Sequence, residues 1–309
     1  MYSRGIKFFG GTTLEQTQEM KPKRRLPEWM KVRMPGGPSY IELKNLLRDA
    51  ELHTVCEEAQ CPNIGDCWER RSATFMILGD ICTRRCHYCA VTTGRPTGID
   101  IMEPDRLART VKHLGLRYCV ITSVNRDDLA DGGAFIFAMC IRKIKQEMPD
   151  CKVEVLIPDF DGSLPALKTA INAGPDVLNH NIESCKRIFP KVRPKGDYQR
   201  SLDLLARVKE IDPTMPTKSG IIVGMGEEFD EVADTMTDLR SVGCELLTIG
   251  QYLRPSEVHV PISRFYTPAE FAELRDIGMS LGFRHVASGP LVRSSYHADE
   301  QHAAASQKG

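Results

Sequence analysis

Short apolar runs recur along the chain at Phe75–Gly79, Tyr118–Ser123, Val153–Ile157, Asp176–His180, Gly220–Val223 and Leu246–Gly250. They are continuous rather than strictly alternating, so each reads as a strand buried on both faces. Helical periodicity fills the intervals. Phe137, Ile141, Ile144 and Met148 fall on one helical face, as do Phe229, Val232, Met236 and Leu239. The last helix opens with Thr267-Pro268-Ala269-Glu270, an N-cap Thr, a Pro at the first helical position and a Glu three residues after the cap. Buried strands separated by helices predict a parallel sheet with right-handed crossovers. Six β-α units fit between about residues 74 and 283, two short of a closed eightfold barrel. The expected architecture is α/β: a partial (β/α)6 TIM-type barrel with N- and C-terminal extensions. An open doubly wound sheet is the alternative. In both, reactive groups belong at the C-terminal ends of the strands.

The division that follows is an N-terminal extension over 1–72, the barrel over 73–283 and a C-terminal segment over 284–309. The extension carries a basic run, Lys21–Arg25, and the breakers Pro27, Pro35 and Pro38. It reads as a solvated arm rather than a nucleic-acid contact. Composition agrees with a soluble globular protein: 309 residues, 41% hydrophobic and 27% charged. Lys+Arg and Asp+Glu both number 41, so no global basic field favours nucleic acid or an anionic membrane. No apolar run approaches the roughly 18 residues of a membrane span. The N-terminus lacks the apolar stretch of a signal peptide, and the compartment expected is reducing and cytoplasmic.

The count that changes the picture is 11 Cys, six of them between Cys56 and Cys89. Clustered Cys in a chain of this length point to metal. The sharpest pattern is Cys82-Thr-Arg-Arg-Cys86-His-Tyr-Cys89, directly after the first strand-like run. Thiolates are soft ligands suited to iron–sulfur clusters, zinc or Cu(I). A structural zinc site takes four protein ligands, and here the local count stops at three unless His87 completes it. A 4Fe–4S cluster on three Cys keeps one iron open, which suggests chemistry. The second group, Cys56-x4-Cys61-x5-Cys67, would by itself suit zinc or redox thiols. Beside a first cluster it reads as a second one. Cys119, Cys140, Cys151, Cys185 and Cys244 show no metal spacing, and Cys119 and Cys140 suit packing as small hydrophobes.

The C-x3-C-x2-C run with Tyr88 before its last Cys resembles the radical S-adenosylmethionine (SAM) enzymes. With both Cys groups in this order, the chain resembles one family among them, the lipoyl synthases. Supporting stretches are Pro22–Lys31, Thr74–Gly79, Gly94–Pro96, Thr122–Leu129, Gly132-Gly133, Leu156–Phe160, Asn179–Glu183, Val192–Pro194, Thr217–Gly220, Gly250–Ser256 and Gly289–Ala298. The resemblance implies that Cys82, Cys86 and Cys89 hold the 4Fe–4S cluster that binds SAM. It implies that Cys56, Cys61 and Cys67 hold an auxiliary 4Fe–4S cluster with Ser295 as fourth ligand. The implied reaction inserts sulfur at C6 and C8 of an octanoyl chain on a lysine of a lipoyl carrier domain, with the auxiliary cluster consumed. Implied partners are octanoylated carriers (2-oxoacid dehydrogenase E2 subunits and the glycine cleavage H protein), a reductant such as flavodoxin or ferredoxin, and an iron–sulfur carrier for cluster repair. Nucleic acid and membrane are not expected partners.

Candidate SAM contacts are Thr122, Ser123, Asn125 and Arg126 after the second strand, Glu154 on the third, and Asn179, Asn181 and Arg193 after the fourth. Arg193 suits bidentate pairing with a carboxylate. Caps, turn bonds and surface ion pairs account for the same residue types equally well. Gly224-x-Gly226-Glu227 lacks the Lys of a P-loop and reads as a turn that lets backbone approach adenine. Rival functions are a sulfur inserter acting on a free small molecule, a two-cluster electron carrier, and a zinc-bearing binding module. The last two should show four ligands per metal site, which this chain does not.

Overall fold

The computed structural model describes residues 26–306 other than 33 and 71. The basic run Lys21–Arg25 lies outside the described residues. Eight strands form one sheet in chain order: β1 His53–Thr54, β2 Thr74–Ile77, β3 Tyr118–Ser123, β4 Lys152–Leu156, β5 Val177–Asn179, β6 Thr217–Val223, β7 Leu246–Gln251 and β8 His285–Gly289. The two-residue β1 pairs antiparallel to β2, with His53 opposite Met76. From β2 to β8 every pairing is parallel. Among the described residues no ladder joins β8 back to the start, so the sheet curls without closing.

All six expected strands are present, and each crossover between parallel neighbours carries a helix. The apolar runs are buried on both faces because helices cover one side and the opposite strands face the other. Val153, Val155 and Ile121 are fully buried. Phe137, Ile141 and Ile144 lie inward on the helix Ala134–Glu147 and Val232, Met236 and Leu239 on the helix Phe229–Ser241, which follows from their spacing. Thr267 caps the helix Pro268–Ser280: its Oγ1 accepts the Glu270 N–H while Glu270 Oε2 accepts the Thr267 N–H at 2.7 Å.

One parallel strand was not expected. β8 reads His-Val-Ala-Ser-Gly, and only Val286 is buried, opposite Leu247 of β7. An edge strand needs one apolar anchor rather than a run, so no periodic signal marks it. The C-terminal segment therefore opens by extending the barrel wall. It ends in the helix Ala298–Ser306, which packs against β8 and β3, with the His302 ring 5.7 Å from the Tyr118 ring. Tyr118 begins β3, so this helix covers the N-terminal end of the barrel and leaves the C-terminal end as the place for a ligand. Among the described residues no helix is long and apolar enough to cross a membrane.

Candidate functional site

The chain leaves β2 through two left-handed residues, Leu78 (φ 69°) and Gly79 (φ 84°). A branched residue in that region is strained, and two contacts hold it. The Leu78 N–H donates to Glu103 Oε2 at 2.9 Å. Its side chain fills the space over Gly133, where a Cβ would fall 2.2 Å from Leu78 Cδ1. The glycine is therefore required by packing. This reversal places the first Cys trio above the barrel mouth.

The cluster loop is tied to three other strand ends. The Thr83 N–H donates to the Asn125 carbonyl after β3 at 3.0 Å, and the His87 N–H to the Val192 carbonyl after β5 at 2.7 Å. From the loop after β7, the Val260 N–H donates to the His87 carbonyl at 3.0 Å and His259 Nε2 donates to the Cys89 carbonyl at 3.0 Å. His87 Nδ1 donates to the Lys191 carbonyl at 2.8 Å, which ties the ring to the segment after β5. Between the Cys residues, Arg84 is buried and anchored. Its Nη2 lies 2.7 Å from both Asp127 and Asp159. Burial alone would raise the Asp159 carboxyl, but the hydrogen bond and charge of Arg84 outweigh it and hold the group at about 2.

Below the loop lies a cavity of about 390 Å³, lined by Cys82, Cys86 and Cys89 and by the C-terminal ends of the strands. That volume is within the range of small-molecule sites. Its apolar wall includes Val91, Val124, Leu156, Ile157, Ile221 and Leu253. Against this wall stand buried polar atoms with no partner: Ser123 Oγ, Asn125 Oδ1, Asn181 Oδ1 and Arg84 Nη1. Unpaired buried polar atoms are costly, and a polar ligand would relieve them. Thr122 lines the same cavity and donates Oγ1–H to the Leu156 carbonyl at 3.0 Å. Arg193 lies buried over the Phe189 ring at 5.7 Å, with Nη1 donating to the Asn181 carbonyl at 3.0 Å. Burial opposes its charge, but Tyr88, Glu183 and Cys86 more than restore it.

Glu183 belongs to the site although sequence reasoning gave it no role. It adopts φ 71° and faces the cavity. Burial raises its carboxyl, against the pull of Arg193 and of hydrogen bonds from Asn181 and Tyr88. Its only sequence signal was its place in Asn179–Glu183, since nothing in local periodicity marks it. His180 also lines the cavity. Burial first, then Arg193, lowers its pKa from 6.5 to about 4. Between those values the unfolded chain binds a proton that the folded one does not, so stability falls as pH drops from 6.5 to 4, by about 3 kcal/mol in all. His180→Gln should flatten urea-denaturation stability against pH across that window, and an unchanged slope would refute the assignment.

Three residues expected as SAM contacts do not line this cavity. Glu154 is fully buried within the barrel, where Lys218 Nζ reaches it at 2.9 Å, Tyr118 Oη donates at 2.6 Å and Asn179 Nδ2 at 3.1 Å. Glu154 and Asn179 thus serve one internal charge network beneath the cavity. Arg126 turns outward to a separate cavity of about 170 Å³, donating to the Gly98 carbonyl at 2.9 Å and pairing with Asp128 at 2.8 Å. Position in the strand register decides this, because neighbouring residues at a strand end diverge to opposite sides. The Gly224–Glu227 turn does not line the main cavity either. Glu227 accepts the Gly224 and Met225 N–H groups at 2.5 and 2.9 Å, and a Cβ at Gly224 would fall 2.1 Å from Gln251 Nε2. The turn is closed on itself to pack against β7.

The second trio stands on two short helices. Cys56 lies in Val55–Glu58, capped by Thr54, and Cys67 in Ile64–Glu69. Cys61 lies between, its N–H donating to the Cys56 carbonyl at 3.0 Å. The C-terminal segment folds back over them. Asn63 Nδ2 donates to the Leu291 carbonyl at 2.7 Å, and Arg70 Nη2 pairs with Glu300 at 2.9 Å. Thr74, whose backbone reaches the Cys56 thiol, donates Oγ1–H to Ser295 Oγ at 2.7 Å. Ser295, 228 residues from the trio's last Cys, is thus brought to the Cys56 side of the trio. Burial pushes the Cys56, Cys67 and Cys89 thiols up to about 12 and raises Cys61 and Cys86. Thiols so buried ionise when a metal replaces the proton.

Both trios fit iron–sulfur clusters rather than single ions. Their sulfurs interact electrostatically within each trio. A set of three soft thiolates suits the iron of an inorganic cluster that keeps one position open.

A sequence model of the radical SAM superfamily matches residues 76–239, and one for the N-terminal domain of lipoyl synthase matches residues 10–61. Lipoyl synthase from Rubrobacter xylanophilus is 59% identical over 275 residues, covering 89% of this chain and 86% of that protein. Lipoyl synthase from Roseiflexus sp. is 56% identical, covering 89% and 92%. The chain belongs to the lipoyl synthase family. Solved structures support the fold alone. HydG, a maturase of the [FeFe]-hydrogenase, is 13% identical with a TM-score of 0.54, covering 67% of this chain and 49% of that one. Streptococcus suis SuiB bound to S-adenosylmethionine is 8% identical with a TM-score of 0.52, covering 71% and 50%. The lipoyl synthase family membership accounts for both Cys trios in one chain and for the partial barrel that carries them.

Proposed function

We propose that this chain performs the reaction of its family, inserting sulfur at C6 and C8 of an octanoyl chain carried on a lysine of a lipoyl carrier domain. The observation that carries this reading is the pair of Cys trios, one at the barrel mouth and the other on the N-terminal extension, with cavity lining that runs from one to the other. Cys82, Cys86 and Cys89 would hold the first 4Fe–4S cluster. Cys56, Cys61 and Cys67, with Ser295, would hold the second. When bound, the first cluster and SAM supply a radical able to take hydrogen from an unactivated C–H bond, and the second cluster supplies sulfur.

The chain's own residues do the rest. Asn125 points its N–H at Cys82 Sγ from 3.3 Å, fixing that sulfur beside the cavity. Ser123, Asn125 and Asn181 offer unpaired polar atoms for SAM, and Arg193, positively charged and buried, suits its carboxylate. Thr122 holds the β3 end against β4. The apolar wall suits an alkyl chain and keeps water from a reactive carbon centre. Val55, Ala59 and Pro62, from the segment bearing the second trio, line this cavity with Val292 and Ser294. The division at residues 72 and 283 is functional in this reading, since both flanking segments build one sulfur-donating wall. A serine oxygen is a poorer match for iron than thiolate, which suits a cluster that must come apart.

The protein partner would be an octanoylated carrier domain, with a reductant such as flavodoxin or ferredoxin and an iron–sulfur carrier to rebuild the second cluster. The compartment would be the cytoplasm. The deciding experiment is mass spectrometry of an octanoyl-lysine peptide incubated anaerobically with the reconstituted protein, SAM and dithionite. Addition of two sulfur atoms supports the reading, and 5′-deoxyadenosine without sulfur addition overturns it. Iron and sulfide should each reach about eight per chain, four per cluster. Cys56→Ala should still cleave SAM while giving no sulfur-containing product.

A further inference from the structure

The loop after β7 grips the first Cys loop at two carbonyls. His259 Nε2 lies 3.0 Å from the Cys89 carbonyl, and Ser256 Oγ lies 2.8 Å from His259 Nδ1. A carbonyl only accepts, so Nε2 carries the proton and Nδ1 of the neutral ring accepts the Ser256 hydroxyl. The serine thus fixes both the tautomer and the orientation of the ring. One residue on, the Val260 N–H donates to the His87 carbonyl at 3.0 Å. The gripping loop is itself braced. Tyr252 Oη donates to the Val260 carbonyl at 2.9 Å, Arg254 Nε to the His259 carbonyl at 2.9 Å and Arg254 Nη2 to the Glu257 carbonyl. Tyr252, Val260 and Ile262 pack with Tyr88, Cys185 and Ile188 in an apolar cluster separate from the main core. The Cys82 end of the Cys loop is held by Thr92, Gly94 and Asn125. At the other end, the Cys89 N–H bonds within the loop, to the Cys86 carbonyl at 3.1 Å, and the Cys89 carbonyl reaches out of it to His259.

We propose that His259 is a positioning residue for the first cluster: its Nε2–H holds the Cys89 end of the Cys loop in place, and this bond slows loss of the cluster. The inference rests on the reading that Cys82, Cys86 and Cys89 hold that cluster. His259 acts through the main chain of a ligand, and Ser256 acts through His259. Residues 252–255 of the same loop line the main cavity, so one braced segment sets both the cavity wall and the position of Cys89. Outer-shell partners of metal ligands typically change metal affinity or activity 10–100-fold.

The test uses the full chain with Cys56, Cys61 and Cys67 changed to Ala, reconstituted anaerobically, so that only the first cluster is present. About four irons per chain are expected, and none would refute the underlying cluster assignment. In that background His259→Phe keeps a flat ring without an N–H. It should lose iron to a chelator about tenfold faster, followed by bleaching of the visible absorption. His259→Gln places an N–H near the Nε2 position and should bleach at the parent rate. His259→Asn is too short to reach the Cys89 carbonyl and should bleach as fast as His259→Phe. Ser256→Ala, which leaves the ring free to turn, should fall between. Without iron, all four variants should unfold in urea at the parent midpoint. Parent-rate bleaching by His259→Phe and His259→Asn, with four irons bound, would overturn the positioning role and leave the cluster assignment intact. Fast bleaching by His259→Gln, or a urea midpoint that falls in step with the bleaching rates, would assign the effect to ring shape or to general stability and likewise overturn it.

Discussion

Replacing Cys82 by Ala should abolish SAM cleavage. Cys82 Sγ is the most organised sulfur of the first trio. The Asn125 N–H reaches it from 3.3 Å, Asn125 Nδ2 from 3.8 Å and the Arg84 N–H from 3.5 Å. Donors converging on one sulfur fix its position beside the cavity. Its backbone is fixed on both sides, through the Thr92 carbonyl at 2.8 Å and the Gly94 N–H at 3.0 Å. A cluster left on two thiolates is not retained, so 5′-deoxyadenosine formation should fall to background and iron to about four per chain. The fold should persist, because the barrel core lies below the loop. Continued cleavage by Cys82→Ala would remove the first trio from the mechanism. Asn125→Ala tests the same preorganisation more gently, and should weaken cluster retention without emptying the site.

Lys218→Met should destabilise the fold by about 3–5 kcal/mol, read from urea denaturation. Lys218 and Glu154 are both fully buried, 2.9 Å apart, inside the barrel. Removing the ammonium leaves a buried carboxylate with Tyr118 and Asn179 as its remaining donors and its charge partner gone. Changing both partners, as Glu154→Leu with Lys218→Met, should recover most of the loss, since replacing a whole buried pair by apolar groups is often neutral. A single variant as stable as the parent would mean that the pair is not formed. Because this network sits under the cavity, the double variant also tests whether the polar floor has a role in SAM cleavage beyond stability.

The strands and the first Cys loop were legible because their signals are local. Val153–Ile157 and Leu246–Gly250 announce buried strands by unbroken apolar character, and thiolate chemistry needs three sulfurs within a few residues of one strand end. β8 was not legible: one buried valine, Val286, suffices at an edge. Glu183 was missed because its role comes from a left-handed backbone turn that aims it into the cavity. Glu154, Asn179 and Arg126 were placed at strands that reach the site, but their hydrogen-bond partners within the barrel or beside the second cavity were not legible, since the side a residue faces depends on register.

By itself the sequence determined the alternation of strand and helix and the two thiol trios, because hydrophobic periodicity and metal-ligand spacing act over a few residues, and the resemblance of its motifs pointed to the family. Only the tertiary structure decided that the C-terminal segment folds back so that Ser295 meets Thr74 beside Cys56. It also decided which polar side chains face the cavity and which lock the barrel interior. Those outcomes depend on contacts between residues far apart in the chain, set by sheet register and by the return of the last segment over the first, and no local pattern encodes them.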